Sequence, residues 1–279
     1  MKIHKYLQNN INLNFKASDD QNAYLKNAKA DAAHCYLTIF PYLKKNKKIL
    51  EVGGGIHLLT NYLHHLGYDI TSIEPGGFAD YIDNLRKKIN DKSDLKIITN
   101  TLEQFQVKEK FDFIFSMNVL EHTNNIEEHI RFCIKLLKDK NSLLFIQCPN
   151  YTFPFEPHFY KWFIPFFPRF TFTYLRKKNL IKILGNKKYV DIINKLNFDC
   201  NYFKIKKLNF PIKFIHPLKD IFDRIEQDIT FRERLLKNLL VRIFYKMIIF
   251  LQAKKILTYL YPIALTPYLI IKIKKFKEE

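Results

Sequence analysis

Short runs of apolar residues alternate with longer amphipathic segments along the first half of the chain. The runs cover residues 49–52, 70–73, 95–98, 111–116 and 143–146, and the intervening segments cover 57–66, 78–90 and 124–138. In the intervening segments the apolar positions recur every three or four residues, which is typical of helices that bury one face. Strands that alternate with helices predict βαβ units and a doubly wound α/β fold with a mostly parallel sheet.

The flanking regions have different patterns. A helix is predicted over 21–43 and another over 175–197, whereas the alternation of apolar and polar residues over 199–206 predicts a late or edge strand. Residues 218–279 are predicted to form two or three basic helices. The resulting division is a flexible N-terminal arm (1–20), a main domain (21–210) with a ligand-binding half (30–150) and an aromatic, substrate-facing segment (151–174), and a basic helical C-terminal extension (211–279).

The charge of the 279-residue chain is concentrated in its second half. The chain has 46 Lys and Arg against 27 Asp and Glu, a formal net charge of +19. By count, residues 1–150 hold 20 basic and 17 acidic residues (+3), and residues 151–279 hold 26 and 10 (+16). This asymmetry favours an anionic partner for the second half, such as lipid headgroups, phosphorylated substrates or nucleic acid. Solvated lysines without a partner are the alternative.

The four cysteines form no CxxC pair, which argues against a zinc site or a disulfide framework and fits a reducing cytoplasm. The first ten residues lack the apolar core of a signal peptide. The longest uncharged apolar run, 256–271, contains two prolines and is shorter than the ~20 residues that a spanning helix needs. A cytoplasmic location is therefore expected.

The glycines cluster between residues 53 and 77, and the first group directly follows the first predicted strand in ILEVGGGIHLLT (49–60). Gly53 and Gly55 allow a tight turn and a close approach of a ligand to the backbone. A dinucleotide fingerprint, GxGxxG, is broken because Leu58 stands at its third glycine position. Glu74 ends the second strand in SIEPGG, where an acidic side chain is suited to accept hydrogen bonds from both hydroxyls of a ribose. The pattern predicts a nucleoside site.

Four motifs in the same order resemble the class I S-adenosylmethionine-dependent methyltransferases. They are ILEVGGG (49–55), ITSIEP (70–75), NTLEQF (100–105) with FDFIFSMNVLEH (111–122), and LLKDKNSLLFIQCPN (136–150). His57 replaces the last glycine of the first motif, and Asp139-Lys140-Asn141 replaces the customary Pro-Gly before the fifth strand. The resemblance implies a Rossmann-like sheet of seven strands with helices on both faces, and S-adenosyl-L-methionine as the cofactor.

The resemblance also implies a set of cofactor-binding residues at the strand ends. Glu51 would lie near the amino group, the glycines would line the methionine and ribose, and Glu74 would hold the ribose. Thr101 and Leu102 would border the adenine, although relatives often have an acidic residue in place of Thr101. The full set is Glu51, Gly53, Gly54, Gly55, Glu74, Pro75, Thr101, Leu102, Ser116, Met117 and Asn118, of which the last three would border the methyl-bearing sulfur.

Two histidines are candidates for the general base that a hydroxyl acceptor requires. His158 follows the fifth strand in NYTFPFEPHFYKWF, and Glu156 is spaced to orient its imidazole. His122 follows the fourth strand in NVLEH, and a structural role is its alternative. Some quinone-pathway members of the family hold a divalent metal at this place, but the earlier acidic position is Asn118 here. No metal is therefore predicted, although Glu121 is a candidate ligand.

The second half of the chain combines aromatic and basic residues. Twelve aromatic residues and four prolines lie in 151–174, and lysines flank the apolar C-terminal segments. This composition favours the wall of an apolar pocket or a contact with an anionic membrane on its cytoplasmic face. The predicted function is methyl transfer to a hydroxyl or carbon atom of a lipophilic or glycan-linked small molecule. An RNA methyltransferase and a non-catalytic membrane-binding module that keeps the fold are the alternatives.

Overall fold

The computed structural model describes residues 2–9, 19–76, 80–90, 94–105, 109–159, 161–227, 232–233, 236 and 239–276. The strands are β1 Lys48–Val52, β2 Asp69–Ile73, β3 Lys96–Ile98, β4 Phe113–Met117, β5 Leu143–Pro149, β6 Phe155–Glu156, β7 Lys161–Trp162, β8 Lys213–Ile215 and β9 Tyr268–Lys274. The helices are α1 Lys2–Asn9, α2 Asp19–Ile39, α3 Leu58–His65, α4 Asp80–Asn90, α5 Ile126–Leu136, α6 Pro168–Phe170, α7 Lys177–Leu184, α8 Asn186–Lys195, α9 Tyr202–Lys206, α10 Leu218–Gln227, α11 Leu239–Phe250 and α12 Lys254–Leu260. A π-helical turn, Thr171–Leu175, and short 3-10 turns at Phe40–Tyr42, Leu102–Gln104, Leu120–His122 and Ile263–Leu265 complete the fold.

Seven strands form one sheet in the order β3-β2-β1-β4-β5-β9-β8. The strands β1 to β5 are parallel, and β9 runs antiparallel to both of its neighbours. The predicted doubly wound, mostly parallel seven-stranded sheet is confirmed. The order reverses between β1 and β4, so the carboxyl ends of these strands flank the crevice in which such sheets bind ligands.

The sheet is covered on both faces. One face packs on α5 and the chain from Tyr151 to Ile205, through residues such as Ile114 and Ile146. The other face packs on the N-terminal helices through residues such as Phe115 and Phe145. Because apolar side chains leave both faces of each central strand, the strands appear in the sequence as continuous apolar runs.

The prediction of basic helices over 218–279 is wrong for the last part of this range. Residues Tyr268–Lys274 form β9, the strand that pairs along the whole length of β5. Leu269, Ile271 and Ile273 are fully buried, and β-branched residues favour a strand at such positions. Pro262 and Pro267 separate this segment from α12, since proline interrupts a helix.

The edge strand predicted over 199–206 is also wrong. Tyr202–Lys206 is the short helix α9, and the side chain of Asn201 caps it by accepting a hydrogen bond from the amide of Lys204 at 3.0 Å. The sixth strand of the sheet is Lys213–Ile215 instead. Two of the seven strands thus lie beyond residue 210, so the predicted domain boundary falls inside the sheet and the predicted extension is not helical throughout.

The first part of the predicted N-terminal arm is helical. Residues Lys2–Asn9 form α1, and Ile3 and Leu7 are buried against the sheet-covering helices. The predicted flexible arm is therefore wrong for residues 2–9. The remainder of that prediction, residues 10–18, lies outside the described residues.

We expect Ile271→Ala to lower the free energy of unfolding by about 2–5 kcal/mol, because it removes a fully buried side chain from the sheet. The matched control is Leu260→Ala on α12, whose side chain is 74% exposed and whose loss should change stability by no more than about 0.5 kcal/mol. Urea unfolding of both variants checks this. Equal losses would contradict the placement of β9.

Candidate active site

The turn after β1 brings the first glycine group against β2. The amide of Gly53 donates a hydrogen bond to the carbonyl of Ile73 at 2.8 Å, and Gly53 has a φ of +83°. A Cβ atom at this position would lie 2.1 Å from Cγ2 of Val119, which follows β4. Only glycine fits here, so the turn closes tightly over the ends of β1, β2 and β4.

His57 adopts a backbone conformation that favours glycine. Its φ is +61°, in the left-handed region, and it precedes the first residue of α3. The imidazole is fully buried, and its Nδ1 lies 3.0 Å from Oγ of Ser72. Burial lowers the pKa of His57 to about 4, so the ring is neutral at pH 7. A side-chain hydrogen bond thus offsets the backbone cost of a left-handed residue, about 1–2 kcal/mol.

Glu51 lies beneath this turn on β1. Its side chain is buried, accepts a hydrogen bond from the hydroxyl of Thr60, and lies 3.5 Å from Oγ of Ser72. Burial raises the pKa of Glu51 to about 7. The carboxyl therefore changes charge at small cost near neutral pH, and a cation beside it would favour the ionised form.

The carboxylate of Glu74 joins the two glycine-bearing loops. It accepts a hydrogen bond from the amide of Gly55 at 2.9 Å and another from the amide of Gly76 at 3.0 Å. Burial raises the pKa of Glu74, although these two amides oppose that shift. The Cβ position of Gly55 faces open space, with no other atom within 4 Å. Each carboxylate oxygen retains an acceptor site, which suits the two hydroxyls of a ribose.

The other predicted cofactor residues lie at the same edge of the sheet. Glu74 donates its amide to the carbonyl of Ile98 at 2.9 Å, which brings the end of β2 beside the end of β3 and the turn at Thr101. Leu102 is buried, whereas Pro75 is exposed. Ser116, Met117 and Asn118 end β4; Asn118 has a φ of +57°, and the buried hydroxyl of Ser116 has no hydrogen-bond partner among the described residues.

A second polar cluster lies beyond the end of β5, on the small hairpin of β6 and β7. Oε1 of the fully buried Glu156 lies 2.6 Å from Nδ1 of His158 and 3.2 Å from the hydroxyl of Tyr151, and Oε2 accepts the amide of Phe159 at 2.7 Å. Desolvation lowers the pKa of His158, but the hydrogen bond and charge of Glu156, with the charge of Glu121, together raise it above its usual value. The sequence prediction that Glu156 can orient His158 agrees with this geometry.

Both predicted histidines meet in this cluster. The rings of His122 and His158 are 5.1 Å apart, edge to face. Desolvation, with the charge of His158, lowers the pKa of His122 to about 4. Glu121 is fully buried, burial raises its pKa to about 7, and neither carboxyl oxygen has a hydrogen-bond partner in the part of the chain that the structure describes.

A candidate metal site is formed by Glu121, His122 and His158. One ligand atom from each lies within 4.8 Å of the others, and a carboxylate with two imidazoles is a donor set that zinc and other divalent cations accept. A buried carboxyl of this kind suits either a cation or a hydrogen-bond donor. The prediction of no metal stays a prediction.

The aromatic segment 151–174 divides into two sets. Tyr151, Phe159, Phe163 and Phe172 are buried in the core beside the polar cluster. Trp162 is 52% exposed, and its ring lies 5.4 Å from the rings of both Phe153 and Phe155. The hairpin that carries Glu156 therefore also presents an apolar surface to solvent.

Sequence reasoning missed the partners that hold these side chains. Thr60 and Ser72 fix Glu51, and Tyr151 fixes Glu156. The signal for Thr60 is a polar residue on the buried side of an otherwise apolar helix, in LLTNYL (58–63). Tyr151 gives no such signal, because tyrosine is frequent throughout the aromatic segment.

We expect Glu74→Gln to weaken the binding of S-adenosylmethionine and S-adenosylhomocysteine by about tenfold or more, because an amide can replace only one of the two acceptor oxygens. Isothermal titration calorimetry measures this. The matched control is Glu127→Gln on the exposed side of α5, which should bind both compounds as the parent chain does. Unchanged affinity in a folded Glu74→Gln variant would remove Glu74 from the site.

Comparison with known proteins finds relatives that align with part of this chain. An uncharacterised protein of Mycobacterium tuberculosis (strain H37Rv) is 40% identical over 116 residues, which are 40% of this chain and 39% of that protein. The ubiquinone biosynthesis O-methyltransferase of Pelagibacter ubique is 35% identical over 109 residues, 39% of this chain and 44% of that protein. The match thus spans about two fifths of these relatives. A crystal structure of coclaurine N-methyltransferase aligns with a TM-score of 0.44 and 11% identity over 88% of this chain and 70% of its own.

The family model of a methyltransferase domain matches residues 24–188, more than half of the chain. This range begins in α2 and includes the glycine turn, Glu74, the ends of β4 and β5, and the cluster around His158. The chain therefore belongs to the class I S-adenosylmethionine-dependent methyltransferase family, and S-adenosylmethionine is its cofactor.

Proposed function

We propose that this enzyme transfers a methyl group to a hydroxyl oxygen of a lipophilic small molecule, with His158 as the general base. The observation that carries the proposal is the 2.6 Å contact between Nδ1 of His158 and the buried carboxylate of Glu156. A carboxylate at Nδ1 fixes the tautomer in which Nδ1 carries the proton, so the lone pair of Nε2 remains available. This arrangement suits removal of a proton from a hydroxyl acceptor.

The reaction is an in-line displacement. The bound cofactor supplies a methyl group attached to a positively charged sulfur. With the cofactor bound, the methyl group would pass from sulfur to the acceptor oxygen, the thioether would leave, and Nε2 of His158 would take the hydroxyl proton. The oxygen must lie ~3–3.5 Å from the methyl carbon on the side away from sulfur, so the protein contributes mainly position and exclusion of water. The resulting imidazolium is stabilised by Glu156, the carboxylate that already contacts it.

His158 is a better base than His122 on electrostatic grounds. The pKa of His122 is lowered to about 4, so its imidazole has little affinity for a proton. The pKa of His158 is raised by the carboxylates around it. A base whose pKa lies near the working pH is the most effective, because it is both deprotonated and able to accept a proton.

The apolar surface around the hairpin supports a lipophilic acceptor. Trp162 and the rings of Phe153 and Phe155 lie on the same hairpin as Glu156, and such a surface favours an apolar ligand. The relative from Pelagibacter ubique is named an O-methyltransferase, which supports a hydroxyl acceptor for this chain. A cytoplasmic location and contact with an anionic membrane complete this proposal.

A divalent cation is the second candidate for activating the acceptor. Glu121, His122 and His158 would hold it, and the buried carboxyl of Glu121 is the specific observation in its favour. A cation at this place would lower the pKa of a hydroxyl that binds to it.

The function is tested by turnover of S-adenosylmethionine to S-adenosylhomocysteine with catechol and with 4-octylcatechol as acceptors. The proposal expects methyl ethers from both, with a higher kcat/KM for the octyl compound. Transfer to total RNA in place of the phenols would support the RNA alternative. Cofactor binding without transfer to any acceptor would support the non-catalytic alternative.

We expect His158→Gln to lower kcat by about 10²–10⁴-fold, the usual contribution of a general base. Glu156→Gln should lower kcat less and shift the acidic limb of the kcat/KM profile to lower pH. The reason is that activity requires neutral His158 and appears as pH rises through its pKa, which the Glu156 carboxylate raises and desolvation alone lowers. His122→Gln is the control, with the limb little changed. An unmoved limb in Glu156→Gln would contradict the role of this carboxylate.

Dialysis against EDTA separates the base from the metal. If His158 is the only activating group, turnover should be unchanged after dialysis. Loss of turnover that Mg²⁺ or Zn²⁺ restores, together with loss of that response in Glu121→Gln, would assign the cluster to a metal. Cofactor affinity, measured on the same samples, controls for damage to the fold.

A further inference from the structure

An extended apolar surface lies far along the chain from the proposed base, on α11 and α12. We define it as the α11–α12 surface: Leu239, Ile243, Phe244, Met247, Ile249, Phe250, Leu251, Ile256, Tyr259 and Leu260, each at least 41% exposed. Phe250 is 86% exposed and Tyr259 is 93% exposed. A concentration of exposed apolar side chains on two consecutive helices marks an interaction site more often than isolated apolar residues do.

The opposite side of α11 anchors this surface to the protein. Ile248 is buried with Phe222 and Ile225 of α10, and Tyr245 and Leu257 pack against them. The α11 helix is therefore apolar on two sides, and only one of them is covered. A helix that is apolar all round is normally buried. We therefore expect a binding partner to cover the exposed side of α11.

The α10 helix is itself fixed to the methyltransferase sheet. Oδ1 of Asp220 accepts a hydrogen bond from the hydroxyl of Thr38 on α2 at 2.8 Å, and its other oxygen accepts one from Tyr268 on β9. Arg224 pairs with Asp31 at 3.2 Å. These contacts hold α10, and with it α11, in a defined position on the enzyme.

The charge of this region identifies the occupant. Residues 239–261 contain Arg242, Lys246, Lys254 and Lys255 and no acidic residue. Lys254 pairs with Glu226, whereas the other three have no acidic partner among the residues that the structure describes. A second copy of the chain would bring like charges together across the contact. The phosphates of an anionic bilayer would neutralise them.

We propose that the α11–α12 surface docks on an anionic lipid bilayer, with its aromatic and aliphatic side chains in the headgroup region and its basic residues on lipid phosphates. Helices with large apolar side chains, flanked by Lys and Arg, bind membranes in this way. No helix in the described ranges is long and apolar enough to cross a membrane. The inference deepens the proposed function and rests on it in one respect: a lipophilic acceptor is concentrated in the bilayer on which the enzyme would dock.

The test is co-sedimentation of the full chain with vesicles of phosphatidylcholine and phosphatidylglycerol, and with vesicles of phosphatidylcholine alone. We expect binding to the anionic vesicles that falls with added salt. Phe250→Ser with Tyr259→Ser should weaken binding by about tenfold or more, since both side chains point away from the core. The matched control, Ile183→Ser with Phe203→Ser, removes apolar side chains that are 65% and 52% exposed elsewhere and should bind as the parent chain does.

The basic residues are tested with two triple variants that have the same net charge as each other. Arg242→Gln, Lys246→Gln and Lys255→Gln together should weaken binding by about tenfold or more. Lys177→Gln, Lys178→Gln and Lys182→Gln, which remove the same charge from the exposed side of α7, should have a smaller effect. Equal effects of the two triple variants would overturn the proposal in favour of general attraction between a basic protein and an anionic surface.

Two further outcomes would overturn it. Unchanged vesicle binding by the Phe250 and Tyr259 variant would assign docking to another surface. A dimer in sedimentation velocity that this variant dissociates, without vesicle binding by the parent chain, would make a second copy the occupant. Vesicle binding needs neither cofactor nor acceptor, so its failure leaves transfer to catechol as an independent result, and failure of that transfer leaves the docking result unchanged.

Discussion

The buried carboxylate of Glu74 is the interaction on which the cofactor edge depends. Its two oxygens accept the amides of Gly55 and Gly76, and so hold the turn after β1 and the loop after β2 in one arrangement. The described residues of these loops, 53–57 and 74–76, have no regular secondary structure to fix them. Because the carboxylate is buried, leaving either amide unpaired would cost about 1–3 kcal/mol, and the arrangement is correspondingly specific. The site is built before the ligand arrives, which spares binding the cost of ordering these loops.

The sequence predicts β1, β2, β4 and β5 well because each is buried along most of its length and is rich in apolar residues, whereas the edge strand β3 is only partly buried. Richness in apolar residues is also the reason why the sequence predicts β9 poorly. The segment before it, α12, is also rich in apolar residues, and a continuous apolar stretch has no period that separates strand from helix. Only the pairing of β9 with β5 decides between them. The left-handed His57 illustrates the opposite case: tertiary structure, through Ser72, retains a conformation that the residue type disfavours.

The two predicted histidines illustrate how far motif reasoning extends. Their positions after β4 and β5 place them at one edge of the sheet, since parallel neighbours end together. Motif reasoning does not predict that Nδ1 of His158 lies 2.6 Å from the Glu156 carboxylate, whereas Nδ1 of His122 lies 3.3 Å from the carbonyl of Lys195 and its Nε2 lies 4.0 Å from Glu121. That difference gives the two imidazoles opposite pKa shifts. The difference arises from the hairpin of β6 and β7. Two-residue strands within an aromatic sequence give no pattern from which this hairpin could be predicted.

Two buried carboxyls with pKa values near 7, Glu51 and Glu121, lie after or within neighbouring strands. Such groups are neutral or charged at similar cost near physiological pH, so their charge follows that of the ligand beside them. Glu51 is predicted to lie near the amino group of the cofactor, and the carboxyl of Glu121 lies within 4.8 Å of ligand atoms of His122 and His158. Each carboxyl ionises most readily when a positive group lies beside it, because an ionised carboxylate without a cation must bear its own desolvation cost. Burial thereby couples the charge of each carboxyl to that of its neighbour, at the expense of some stability when no such neighbour is charged.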